Sequence, residues 1–377
     1  MITLRQKLDS PHVGFCLNSV DNSTGADGDK TVDVIARGFF TSDDGPDMYT
    51  YLDSVFAGFG SAFQNVGIRP EHIDNCLINI VDGTSATIWV NFPTIVESIA
   101  KGTVKAGMPA TLDNIADARS VSFPGIEMPT KGAVVYTFQH GWRRGLYFDY
   151  PAPVNGWNRP LKDFPALAGS LHAALIFRER IQMKPDVLDR MSLTGWFPFI
   201  RLPHDLAVRL YRHFEEGWDH APVESEIVKV VGPSIPQLLE GWSKKAAFAP
   251  HIGAIEHAVK HFARGEYAAA SNFLLPKVEG ILRTLNLGRG KKPSARELRD
   301  NLLAHVRADV TGFTAFLPEA FVRYLETFYH AGFDLDANDV PPSRHAFLHG
   351  VGPDGELEKA GYATKLFLAI DQLFFYV

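Results

Sequence analysis

The apolar positions change period along the chain. Before about residue 155 they alternate in short runs, and beyond it they recur every three or four residues. The first regime predicts a mixed domain over 1–155. Residues 32–40 alternate as a strand, and 48–66 carry Tyr51, Val55, Phe59 and Phe63 four apart, as one face of a helix. Residues 76–90 read as two strands around Asp82-Gly83, a hairpin turn signal. Residues 133–150 read as a second hairpin, with Val134, Tyr136 and Phe138 leading into a turn at His140-Gly141. Between the hairpins, 94–106 is expected as a helix that starts after Pro93 and is weakened by Gly102.

Residues 151–160 form a connector by composition, rich in proline, asparagine and glycine. A helical middle, 156–245, follows, with helices expected over 164–181, 203–216 and 225–242. Within it, Gly195-Trp196-Phe197-Pro198-Phe199 is an aromatic run broken by proline, expected to pack between domains; a stacking platform for bases is the alternative. The last part, 246–377, predicts helices only. They cover 251–264, 267–285, 295–305, 319–330 and 363–377. The second carries the stripe Leu274, Leu275, Val278, Ile281, Leu282 and Leu285, with Pro276 able to kink it. The last carries Leu366, Ile370, Leu373 and Phe374 on one face. The fold class is α+β: an N-terminal mixed α/β domain, then helices ending in an all-α bundle.

Composition narrows the setting. With 46% hydrophobic and 21% charged residues, the chain has ordinary globular content, which excludes a disordered or collagen-like protein. It has neither a signal-peptide pattern nor an apolar run of about 18 residues, so no membrane association is expected. Cys16 and Cys76 are too distant for a zinc-ligand spacing, and a reducing, cytoplasmic compartment is expected. The net charge of −6 argues against a nucleic-acid partner overall, but the charge is uneven. Residues 1–60 hold four basic residues against nine aspartates, whereas 281–310 hold seven basic residues against three acids. Arg289, Lys291, Lys292, Arg296 and Arg299 in that second stretch are candidates for RNA phosphate contacts, set against the plainer reading of a solvated helix face and loop.

The densest chemistry lies near the C-terminus, in Pro341-Pro342-Ser343-Arg344-His345-Ala346-Phe347-Leu348-His349-Gly350. The prolines stop what precedes, Ser343 is a good N-cap and Gly350 a good stop, so a short helix is expected between them. This stretch resembles the HEPN superfamily, helical bundles marked by an arginine, a polar residue directly after it and a histidine four to six residues on. Arg344, His345 and His349 fit. Gly265-Glu266-Tyr267 followed by Phe273 to Leu282 resembles the helix that packs beside that motif, and the helix after Tyr362 resembles the closing one. The resemblance covers roughly 247–377 and leaves 1–240 without a family.

The resemblance implies a homodimer through the C-terminal domain that brings two motifs into one cleft. It also implies metal-independent endoribonuclease chemistry without a cofactor: the RNA 2′-hydroxyl attacks phosphorus, leaving a cyclic phosphate and a 5′-hydroxyl. His349 would transfer protons, because imidazole titrates near neutrality. Arg344 would hold the phosphate with its planar fork. His345 would orient or supply a second proton transfer, and Glu279 on the neighbouring helix would direct a carboxylate at the arginine or histidine. A toxin or defence role, with an unidentified activator or inhibitor, follows from the family's frequent use. The alternative is a non-catalytic binding or regulatory protein on the same bundle. A nucleotide-modified protein is a weaker reading, since Val351 stands where some HEPN toxins carry the modified tyrosine.

Other patterns compete. Arg299 to His305 also satisfies the motif, but lacks the caps and the closing glycine. Residues five apart lie about 140° around an ideal helix, so Arg344 and His349 do not share a face. His257 and His261 sit four apart after Glu256, which is not the zinc-protease order, so no metal is expected. Gly288 to Ser294 lacks the glycine spacing of a phosphate loop. Trp142, Arg143 and Arg144 are expected at an exposed hairpin whose aromatics pack on the helical part, with an anion or nucleotide sensor as the alternative.

Overall fold

The computed structural model describes residues 1–7, 24–25, 33–34, 36–150, 160–161, 163–285, 292–309, 312–334 and 340–377. Cys16, the connector residues 151–159, and Arg289 and Lys291 lie outside the described residues. The chain forms two compact units, Met1–Ser98 with Ala118–Phe177, and Ile99–Asp117 with Arg178–Val377.

The first unit is built on a six-stranded sheet. Its strands are β1 (Ile2–Lys7), β4 (Ala36–Thr41), β5 (Cys76–Ile80), β6 (Ser85–Val90), β9 (Ala133–His140) and β10 (Arg143–Tyr150). They run in the order β1-β6-β5-β9-β10-β4, and every pair is antiparallel. Two short strands, β2 (Thr24–Gly25) and β3 (Asp33–Val34), pair with each other. Side chains alternate across the sheet, and both sets find helices. Ile78, Ile80, Val135, Leu146 and Phe148 share a core with Met48, Leu52, Val55 and Phe56 of α1 (Pro46–Gly58) and Phe63 of α2 (Gly60–Gln64). Leu77, Val134, Tyr136, Phe138 and Tyr147 share another with Phe164, Leu171 and Leu175 of α3 (Phe164–Ile176). Cover on both faces explains why β5 is buried at every position although an antiparallel sheet often leaves one face wet. In the second core, the Tyr136 hydroxyl lies 2.9 Å from His172 Nε2.

The expected helix over 94–106 is instead a strand, β7 (Ile95–Ala100), which pairs with β8 (Ile115–Ser122). Ile95, Val96 and Ile99 are β-branched, which favours a strand, and Pro93 precedes a strand as readily as a helix. The helix expected over 48–66 breaks at Phe59, and the one over 225–242 is two helices.

The second unit is helical apart from what it takes of β7 and β8. It runs through α4 (Arg178–Ile181), α5 (Pro185–Leu193), α6 (His204–Glu216), α7 (Ala221–Val231), α8 (Ile235–Ser243), α9 (Ile252–Ala263), α10 (Tyr267–Leu274), α11 (Lys277–Leu285), α12 (Ala295–Asp309), α13 (Pro318–Tyr324), a π turn (Leu325–Tyr329), α14 (Arg344–Leu348) and α15 (Ala360–Tyr376). The expected kink at Pro276 is a clean break between α10 and α11. Helices of the middle region and of the last third share a single core, where three parts had been expected along the chain. Trp196, Phe197 and Phe199 are fully buried in that core, which leaves no face for stacking bases. Gly195 allows the run its path: its φ is +78°, and a Cβ would stand 2.5 Å from the Phe328 ring.

α15 is not amphipathic, as expected from its stripe, but buried along nearly its whole length. Its polar groups are therefore matched. Gln372 Oε1 accepts from the Ile200 N–H at 2.9 Å, and Lys365 Nζ stands 3.5 Å from Glu224 and over the Trp196 ring. No helix among the described residues is long and apolar enough to cross a membrane.

Candidate functional site

α14 forms where its caps predict. Ser343 Oγ accepts from the Ala346 N–H at 3.2 Å, and the same hydroxyl donates to the Ala331 carbonyl at 2.9 Å. Gly350, at φ +75°, ends it, and the Val351 N–H bonds back to the Ala346 carbonyl at 2.9 Å. Ala346 is fully buried, and the Tyr362 hydroxyl of α15 donates to the Pro342 carbonyl. A five-residue helix is too short to hold itself, so these tethers place its side chains.

Arg344 points back towards α11. Its Nη1 lies 2.8 Å from Glu279 Oε2, and a fifth of its side chain is exposed. Glu279 is buried and also accepts from Arg283, with Nη2 at 2.6 Å and Nε at 2.8 Å from Oε1. Arg283 follows Glu279 by four residues, the favourable order on a helix. The Glu279 backbone N–H donates to the Tyr329 hydroxyl at 3.3 Å, and that hydroxyl donates to the Leu275 carbonyl. Burial pushes the Glu279 carboxyl up. The hydrogen bond from Arg283 and the charges of Arg344, Arg283 and His330 outweigh it and hold the group below the usual carboxylate range.

His330 completes the cluster. It follows the π turn, a distortion common at functional sites, and only 2% of its side chain is exposed. Its Nε2 stands 3.8 Å from Glu279 Oε2, too far for a hydrogen bond, and neither ring nitrogen has a hydrogen-bond partner among the described residues. Burial, then the Arg299 charge, bring its pKa down to about 4 against the pull of Glu279, with Arg344 and His345 adding to the drop. Nothing in the linear spacing singles out His330. Only the adjacency Tyr329-His330 hints at it, and folding supplies the rest.

His345 is half-buried and His349 exposed, with their rings 6.5 Å apart and His349 5.5 Å from the Phe333 ring. The surface end of α14 thus carries two imidazoles, and its inner end carries an arginine pinned by a carboxylate. No protein-family model matches the chain, and neither a curated protein nor a solved structure does. The site's chemistry is therefore argued from its own geometry.

The basic stretch differs from its expected form. Arg299 was expected to contact phosphate from the surface; it is 8% exposed, and its Nη2 lies 2.9 Å from Glu326. The reason is its place on α12: 299, 302 and 306 fall on one stripe with buried Leu302 and Val306. Arg296 is exposed and stands 3.8 Å from Asp300, Arg307 pairs with Glu319 at 2.8 Å, and Lys292 is exposed. Acids outside that stretch, Glu279, Glu326 and Glu319, thus offset much of the local excess of positive charge. His305, the histidine of the rival motif, is exposed.

His257 and His261 both stack on Phe273, and His261 Nδ1 lies 2.5 Å from Glu266. The described residues hold no group of three or more potential metal ligands. At the β9–β10 turn, Trp142 is 72% exposed and the Arg143 guanidinium lies 5.1 Å from its ring centre.

Proposed function

We propose that the C-terminal helices form a metal-independent endoribonuclease site of HEPN type, working as a homodimer in the cytoplasm. The observation that carries the reading is α14 itself: a capped short helix with Arg344 oriented by Glu279 at 2.8 Å, His345 half-buried and His349 exposed. A guanidinium fixed by a carboxylate is pre-organised to take a phosphate oxygen on its remaining N–H groups. An exposed imidazole can remove the 2′-hydroxyl proton as phosphorus is attacked, and a second can protonate the departing 5′-oxygen. His349 takes the first role and His345 the second or an orienting one. Because Arg344 and His349 diverge on the helix, the second protomer would supply the facing group. Lys292 and Arg296, both exposed, would guide the RNA backbone.

The test is cleavage of mixed RNA by the purified chain in EDTA, beside His349→Ala, His345→Ala and Arg344→Lys. Cutting by wild type, with cyclic-phosphate and 5′-hydroxyl ends, and loss of it in His349→Ala support the reading. Equal cutting by every variant overturns it. A second reading, a non-catalytic binding protein, is favoured by the engagement of Arg344 with a buried carboxylate, which also serves to clamp α14 to α11. RNA binding without cleavage by a folded wild type would decide for it.

A further inference from the structure

Away from α14, the second unit has a half-open cavity of about 520 Å³ between residues 100–103, α8 and α15. That size lies within the range of small-molecule sites. Leu238, Trp242 and Phe374 give it an apolar wall, and Ser234 and Gln237 contribute polar groups. Its charged lining residues pair off, with one exception. Lys244 Nζ lies 2.8 Å from Glu240. Arg201 makes two hydrogen bonds to Asp371, at 2.8 and 3.0 Å, and donates to the Lys101 carbonyl. Asp371 is 1% exposed and also accepts from Trp242 Nε1 at 2.9 Å. The remaining cation is Lys101. It is 9% exposed, and its Nζ donates to the Leu202 carbonyl at 2.9 Å, without a carboxylate in ion-pair range among the described residues.

We infer that this cavity is a binding site for a small organic anion, its carboxylate or phosphate head beside Lys101 and a short apolar body against Leu238, Trp242 and Phe374. A buried ammonium with one carbonyl acceptor is left short of charge compensation, which an anionic ligand supplies. The apolar wall has room for a body of benzene size. Burial, then the Arg180 charge, bring Lys101 down to about 7, with Arg201 adding to the drop and Asp113 and Asp371 opposing it. Binding of an anion near neutral pH therefore draws a proton onto Lys101, and affinity falls as pH rises past that value. The site stands apart from the ribonuclease reading, and neither depends on the other.

Phenyl phosphate and benzoate are titrated into the full chain by ligand-observed NMR, from about pH 6 to about pH 9, a window that spans the Lys101 transition. Wild type is expected to bind saturably and more weakly at the alkaline end. Lys101→Met keeps the stem and removes the charge, and is expected to weaken binding about tenfold or more. Gly241→Leu keeps the charge but fills the space, since a Cβ there already meets the Phe374 ring at 3.6 Å, and is expected to block binding too. It stands as the independent check should Lys101→Met misfold. Tighter binding of phenyl phosphate assigns a phosphate head and tighter binding of benzoate a carboxylate head; both uphold the site. No saturable binding of either probe by wild type, or binding unchanged in both variants, overturns it.

Discussion

Replacing Glu279 by glutamine tests the electrostatic frame of the α14 cluster. The substitution keeps the shape and one acceptor oxygen but removes the charge shared by Arg344 and Arg283. The two arginines should respond differently. Arg283 is 42% exposed and can return to water, so its share is worth only a few tenths of a kcal/mol, like other surface pairs. Arg344 is 20% exposed, and its buried Nε already has no hydrogen-bond partner among the described residues. Breaking a fully buried pair costs about 3–5 kcal/mol; discounted for that exposure and for the retained acceptor, about 2 kcal/mol is expected here.

Urea unfolding followed by circular dichroism measures this, provided the denaturant slope is unchanged. A double-mutant cycle with Arg344→Gln should return a coupling of about 1–2 kcal/mol. The sign of the pH dependence follows from the lowered Glu279 pKa. Its stabilising contribution is complete above the unfolded value of about 4.3 and fades as pH falls through the lower folded value, so wild type and variant should converge in acid. The reasoning fails if Glu279→Gln costs no more than Glu240→Gln at an exposed pair and the cycle shows no coupling.

His330 and His172 are each held down to about 4, so below about pH 6.5 the unfolded chain takes up protons that the folded one refuses, and stability should drop between those values. His330→Gln should remove up to about 3 kcal/mol of that drop, read from urea midpoints across the window. Gly195→Ala should cost about 2–4 kcal/mol, combining left-handed strain with the clash against Phe328. Gly265→Ala, at φ +76° with nothing within 4 Å, should show only the strain of about 1–2 kcal/mol, and equal losses in thermal melts would refute the packing argument.

Signals confined to a few neighbouring residues proved legible. The hairpins β5–β6 and β9–β10, the break at Pro276 and the caps of α14 rest on turn residues, a missing N–H and a serine hydroxyl that act within three or four positions. Elements decided by packing were not. β1 is an edge strand with no buried position, and β8 mixes Asp117 and Arg119 among small residues, so neither carries a strong apolar signal. The second helical layer on the sheet, α3, was legible as a helix but not as the partner of Tyr136 and Phe138. The same limit hid the cavity at Lys101, whose walls come from four separate stretches between residues 100 and 374.

The choice between two arginine-to-histidine patterns illustrates the limit best. On the sequence, Arg344 to His349 and Arg299 to His305 are rivals for one role. In the folded chain both arginines face inward: Arg344 lies on Glu279, Arg299 lies on Glu326, and the charges of both bear on His330. Both histidines are exposed. Two helices have each turned an arginine towards His330 while leaving an imidazole outside, because five or six residues carry the chain past the face it started on. Both patterns thus bear on one histidine. Arg299 acts on the electrostatics of the cluster that orients Arg344, so removing its charge should raise the His330 pKa. A histidine titration by NMR in Arg299→Gln reads this directly, and an unshifted His330 would separate the two arginines again.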